Sequence, residues 1–248
     1  MIKTIKTMSK QEKERYTVPR KVQDVISVRR IWPDGIFLVG NKFSKTYKFS
    51  DINYLVASRE DKESMFLTYS ELLNSLDSGA VTKITINNRR MNQANFETSI
   101  LMPMQGDFRD EYRKEYNQML LDKATGANGI TQEKYITISV VKKDIEEARA
   151  YFARVGADLI SHFSALGSKC VELDATERLR ILHDFYRQGE ESEFVFNARE
   201  MMKRGHSFKD YICPDGIEKN SDYLKLGDKF CRVLFLKDYA SYIKDNMV

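Results

Sequence analysis

The stretch Lys134–Gln188, KYITISVVKKDIEEARAYFARVGADLISHFSALGSKCVELDATERLRILHDFYRQ, decides the fold because its apolar rhythm changes without a gap. Tyr135, Ile136, Ile138, Val140 and Val141 form a β-rich run. From Ile145 the apolar positions recur at helical spacing, through Ala148, Phe152, Val155, Leu159, Phe163 and Leu166. The boundary between the two falls at Lys142 to Asp144. A short strand, Lys169 to Leu173, follows. Asp174-Ala175-Thr176-Glu177 then reads as a capping box, in which Asp174 accepts an amide hydrogen bond and Glu177 reaches back. Leu179, Leu182 and Phe185 are expected to be buried behind this cap, with Gly189 ending the helix.

Working outward toward the amino terminus, Val25 to Trp32 is a strand candidate and Pro33-Asp34-Gly35 a turn in which glycine supplies positive φ. Ile36 to Val39 and Lys45 to Phe49 predict a hairpin around Gly40-Asn41. Trp32, the only tryptophan, fits a core anchor beside that hairpin. A helix is predicted from Arg59 to Leu76 with Met65, Tyr69, Leu72 and Leu76 on one face and Gly79 past its end, then a strand from Ala80 to Asn87. Between that strand and the next lies an insertion, Asn92 to Thr131. Its centre, Asp107 to Lys123, is strongly helical, and Phe108, Tyr112, Tyr116 and Met119 at three- and four-residue spacing predict a buried face.

With the insertion set aside, the order is strand, helix, strand, strand, helix, strand. That order predicts an α+β fold of the ferredoxin-like split βαβ type, an antiparallel sheet with helices on one face and flanking β-hairpins. The four strands expected are Tyr47 to Ala57, Ala80 to Asn87, Tyr135 to Val141 and Lys169 to Leu173. The division expected is a basic, flexible arm at 1–21, an α+β domain at 22–189 with its helical insertion at 92–131, and an extension at 190–248. In that extension Glu190 to Ser221 reads as irregular, Tyr223 to Leu226 with Phe230 to Leu236 as a hairpin, and a short helix completes it.

Three segments carry a family resemblance: EKYITISVVKKDIEEARAYFARVGADL, LGSKCVELDATERLRILHDFYR and DYICPDGIEKNSDYLKLGDKFCRVLFLKDYASYIKD. Together with IWPDGIFLVGNKFSKTYKFSDINYLVASREDKESMFLTYSELLNSLDSGA, they resemble the amino-terminal domain of the large ATPase of conjugative type IV secretion systems. More narrowly, the chain is similar to the version carried on conjugative elements of Gram-positive and gut bacteria, and the likeness runs from about Arg15 to Val248. It implies a docking domain that couples a motor to the inner-membrane components of a DNA-transfer channel. Separately, only three cysteines in so long a chain argue for a reducing compartment, so the expectation is a cytoplasmic protein held peripherally at the inner face of the cell membrane by partners.

The family's motor needs a phosphate-cradling loop, G-x-x-x-x-G-K-[ST], and the chain has no Gly-Lys dipeptide. Gly40-Asn41-Lys42, Gly167-Ser168-Lys169 and Gly227-Asp228-Lys229 lack both the adjacent glycine and the following hydroxyl residue. The expectation is therefore a non-catalytic piece, with no cofactor in this chain and with ATP and magnesium confined to a motor that follows it. Its partners would be the inner-membrane secretion components, its own motor domain and, as further options, anionic lipid, single-stranded DNA or a second copy.

Composition sets the remaining bounds. At 248 residues, with 42% hydrophobic and 31% charged side chains, the chain can bury roughly 70 to 75% of its unfolded surface. No stretch supplies the roughly 20 apolar residues of a membrane-spanning helix, and the amino terminus lacks the apolar core of a signal peptide. Three cysteines, with no C-x-x-C pair, and three scattered histidines point away from a disulfide framework or zinc site.

The net charge of +4 comes from the arm, where Lys3, Lys6, Lys10, Lys13, Arg15, Arg20 and Lys21 outweigh Glu12 and Glu14. These cations could approach anionic lipid or nucleic acid. Arg89 and Arg90, in the run NNRRMN after a strand, are the other candidate contacts to phosphate or bases. They carry the alternative reading of a single-stranded DNA-binding module.

Overall fold

The computed structural model describes residues 19–90, 101–126 and 130–238, without the side chains of Arg89, Arg90 and residues 124–126, 130 and 131. Among the described residues the order is α1 (Val22–Val25), β1 (Val28–Ile31), β2 (Phe37–Val39), β3 (Lys42–Phe49), α2 (Arg59–Asn74), β4 (Val81–Arg90) and α3 (Asp110–Gly126). These are followed by β5 (Ile130–Val140), α4 (Ile145–Ala165), β6 (Cys170–Glu172), α5 (Ala175–Tyr186), α6 (Ala198–Arg204), β7 (Ile217–Lys219), β8 (Leu224–Leu226) and β9 (Lys229–Cys231). Six strands form one antiparallel sheet in the order β1-β2-β3-β5-β4, and β6 pairs with β3; the last three strands form a separate sheet.

The hinge between strand and helix falls where the change of rhythm places it. Asp144 caps α4 by accepting the Glu147 amide at 2.9 Å, and Ala148, Phe152, Val155, Leu159 and Phe163 are all buried. Against them the sheet presents Phe43, Tyr47, Ile136, Ile138 and Val140, with Leu72 reaching the same core from α2. Alternation along β3 and β5 explains the selection. Residues opposite one another share a face, so Phe43 and Tyr47 stand beside Val140 and Ile136. On the reverse face the same strands place Ser44 beside Ser139 and Thr46 beside Thr137, whose hydroxyls lie 2.9 Å apart.

Two close approaches hold the layers. The Tyr47 hydroxyl donates to the Phe152 carbonyl at 3.3 Å, and burial, with Glu172 nearby, pushes its pKa well above the usual phenol value. Gly156 is the helix residue that permits this, because a Cβ there would stand 2.7 Å from Glu172 Oε1 and 2.9 Å from the Tyr47 hydroxyl. Glu172 also accepts from buried Lys45 at 2.5 Å, an ion pair that periodicity does not reveal.

Several expectations are corrected. Helices do not lie on one face alone: Phe37 points to a second core with Ile26, Val28, Ala175 and Leu179, while neighbouring Ile36 belongs to the first. Thus α5 packs on the reverse side of β1 and β2, joined by Ile212, Cys213, Phe194, Phe196 and Phe208 from the segment after Gly189. That segment contains two 3-10 turns and α6, so it is more regular than its sequence suggests. The expected strand Tyr47 to Ala57 is instead Lys42–Phe49. It serves both the hairpin and the central sheet, and ends where Ser50 turns to accept from Lys169.

The strand expected at Val25 to Trp32 begins with one helical turn and shortens to Val28–Ile31. The last hairpin turns at Gly227-Asp228 as read, but its second strand stops at Cys231 because its partner β8 is only three residues long. The capping box at Asp174 is present, with the Glu177 amide donating at 2.7 Å and Glu177 accepting from the Asp174 amide at 3.0 Å. Leu179 is buried behind it, whereas Phe185 faces solvent and the buried turn is completed by His183 and Asp184.

The β4–β5 ladder outruns the rest of the sheet. It holds ten consecutive residue pairs, from Val81 with Ser139 to Arg90 with Ile130. β3 accompanies β5 only over Lys134 to Val140, so Asn87 to Arg90 and 130–133 form a two-stranded ribbon. The expected insertion thus narrows to 91–129, the segment that links Arg90 to Ile130.

Candidate docking surface

The insertion helix α3 is fastened at its start by charge. Asp110 accepts the amides of Gln105 and Gly106 at 3.0 and 2.7 Å, the latter glycine at φ +77. Arg113 bridges Asp107 and Asp110 at 2.5 and 2.6 Å and donates to Gln105 Oε1 at 3.2 Å. The Arg113 hydrogen bond holds the Asp107 carboxyl below the usual carboxylate range. For Asp110 the Gln105 amide is the larger cause and Arg113 the next. One turn on, buried Asn117 exchanges two hydrogen bonds of 2.9 Å with the backbone of Met102. Residues 102–113 therefore form a compact knot that gives the helix a fixed first two turns.

This arrangement turns Arg113 and Asn117 inward and leaves the aromatic stripe outward, which corrects the expectation of a buried face. Phe108 is 84% and Tyr112 71% exposed, and Tyr116 and Met119 are exposed as well. Met102, Phe108, Arg109, Tyr112, Arg113 and Tyr116 line a shallow hollow of about 520 Å³. Spacing identifies such a stripe but does not say whether anything covers it. The signal in the sequence is the dense run of charges beside it: Asp107 and Asp110 are both claimed by Arg113, while the Arg109 guanidinium lies over the Phe108 ring at 5.3 Å.

A second surface is the outer edge of β4, which among the described residues pairs only with β5. Ile84 and Ile86, on the same face as the first core, remain 45% and 56% exposed, since α4 and α2 cover β3 and β5 rather than this edge. Arg89 and Arg90 occupy the far end of this strand, opposite Thr131 and Ile130 by register. Lys3, Lys6, Lys10, Lys13 and Arg15 lie outside the described residues.

Elsewhere the chemistry is structural in character. Arg178 donates to the carbonyls of Gly35 and Ser44, both at 2.7 Å, and stacks 4.0 Å from the Phe37 ring centre. Arg187 ties Glu190, the Cys213 carbonyl and Asp215 across a cleft of about 310 Å³ beside the β8–β9 turn. His183 Nδ1 lies 3.6 Å from Asp184 Oδ1 inside the second core, His162 bonds its own helix carbonyl at Asp158, and His206 sits after α6. Burial pushes the Cys170 thiol up to about 11, so it stays protonated in the core.

Among the described residues no three or more His, Cys, Asp or Glu side chains gather where they could hold a metal ion. The three glycine–lysine look-alikes all mark turns: Gly40 joins β2 to β3, Gly167 follows α4, and Gly227 joins β8 to β9, each at positive φ. Among the described residues no helix is long and apolar enough to cross a membrane. Compared with known proteins, the chain matches no family model and no curated relative.

Proposed function

We propose that this chain is the amino-terminal docking domain of a conjugative type IV secretion ATPase, working by protein contact at the inner face of the cell membrane. The observation that carries the reading is the uncovered aromatic stripe of α3, held by its own ionic knot on an insertion at the end of a ribbon. Phenylalanine and tyrosine displayed on a preorganised helix are the residue types that dominate protein interfaces, since they bury large area at small entropic cost. Nucleotide and magnesium belong, in this reading, to the motor that the domain couples to the membrane components.

The architecture is mixed α+β around an antiparallel sheet, a scaffold that serves many functions. With β3, β4, β5 and β6 taken with α2 and α4, the chain order strand-helix-strand-strand-helix-strand is laid out as β6-β3-β5-β4, which we infer to be the ferredoxin-like split βαβ plan. The stripe and the sequence resemblance are what support the reading.

The test is capture of the system's small inner-membrane subunits by the purified chain, compared with a Phe108→Ser/Tyr112→Glu variant. Both positions are exposed, so the variant should melt as the parent does and lose capture by more than about thirtyfold, the scale of a hot-spot loss near 2 kcal/mol. Unchanged capture by the variant, or no capture by the parent, would overturn the reading. Salt-sensitive binding of single-stranded DNA that is lost on Arg89→Ala/Arg90→Ala would favour the DNA-binding alternative instead.

A further inference from the structure

The β4 edge has the properties that sheet proteins ordinarily suppress. Its ladder to β5 runs without a register shift, Val81–Arg90 contains no proline, and its outer side is unpaired among the described residues. Its two isoleucines are half-exposed on one face. An edge of this kind accepts another strand, and the sequence of β4 says which.

A strand meeting its own copy about a two-fold axis perpendicular to the sheet must pair residues of the same face. With Thr85 on the axis, Ile84 stands opposite Ile86 of the copy and Ile86 opposite Ile84, so four isoleucines meet on one face. Lys83 stands opposite Asn87, and Val81 opposite Arg89, so no cation opposes a cation. Moving the axis to Ile86 sets Lys83 against Arg89. Moving it to Ile84 keeps only one isoleucine pair, and moving it to Lys83 opposes that lysine to itself. Since cross-strand apolar pairs stabilise and directly opposed like charges destabilise, one register is selected.

We propose that β4 pairs antiparallel with β4 of a second copy, Thr85 opposite Thr85, making one continuous sheet across a symmetric dimer. The pairing involves neither α3 nor the identity of the partner that α3 binds, so either can fail without the other.

The test uses the full chain with Cys231→Ser, which removes the one cysteine that is not buried. Light scattering should give twice the mass of one chain, and Ile84→Lys/Ile86→Lys, at exposed positions, should return it to one. Thr85→Cys should cross-link to itself on mild oxidation, because directly opposed residues bring their Cβ atoms to about 5 Å. Lys83→Cys should not, because its copy would stand four residues away along the edge. A parent that stays monomeric up to its solubility limit would overturn the proposal. So would cross-linking at 83 as efficient as at 85, or a dimer indifferent to the two lysines.

Discussion

Gly35 shows how much a single residue can fix. Its backbone sits at φ +76, and a Cβ there would stand 2.0 Å from the Leu173 carbonyl oxygen, at the junction where β6 gives way to α5. Its own carbonyl receives Arg178, whose other bonds hold Ser44, and its neighbour Asp34 accepts from Arg149 on α4 at 2.7 Å. One turn therefore joins the hairpin, α4 and α5. Gly35→Ala would impose both a left-handed backbone on an L residue and a clash with main chain, which cannot move as a flexible side-chain end would. The expected loss is about 3 kcal/mol or more, read as a fall in denaturant midpoint. A loss under about 1 kcal/mol, the ordinary cost of leaving glycine's conformation alone, would contradict the packing described. The turn itself is legible in Pro33-Asp34-Gly35, but the approach of Leu173 is not, because it joins residues far apart in sequence.

At the scale of elements, α3 separates what a sequence can say from what it cannot. Its helical spacing is plain, and its length follows. Which face is covered depends on partners elsewhere, and here the inward face is claimed by Asn117 and Arg113, two polar residues that a hydrophobic pattern discounts. Helix α4 is the contrary case, since its apolar face is wide and every residue read as buried is at least partly so.

The knot that orients α3 is ionic, so acid should loosen it. Asp107 and Asp110 have folded pKa values below their unfolded ones. Their contribution is therefore complete above the unfolded carboxylate value of about 4 and is lost as pH falls through the lower folded values. The amide resonances of Gln105 and Gly106 should titrate with midpoints below about 4. Arg113→Ala should raise those midpoints, whereas a midpoint unmoved by it would show that the arginine does not hold the carboxylates.

For the molecule as a whole, the second core is what the sequence leaves out. The unbroken apolar run Ile36, Phe37, Leu38 and Val39 reads as one buried strand, yet it divides between two sides, Ile36 and Leu38 to one core and Phe37 and Val39 to the other. Because β2 belongs to both, the cores should melt together. Phe152→Ala in the first and Leu179→Ala in the second should each cost about 2 to 5 kcal/mol. Both should shift one common transition, seen alike by far-ultraviolet dichroism and by the fluorescence of Trp32. Two separated transitions after Leu179→Ala would divide the molecule into independent units.

The ribbon of Asn87–Arg90 and 130–133 is, mechanically, a stalk. At about 3.4 Å per residue it adds about 13 Å of length beyond the last pairing of β3 with β5. Removing two facing residues from each side would shorten the stalk by about 7 Å while keeping the alternation of the remaining strands in phase. The span of the stalk can thus change in steps of two residues without rewriting either the body that bears it or the helix carried on the segment that links its strands.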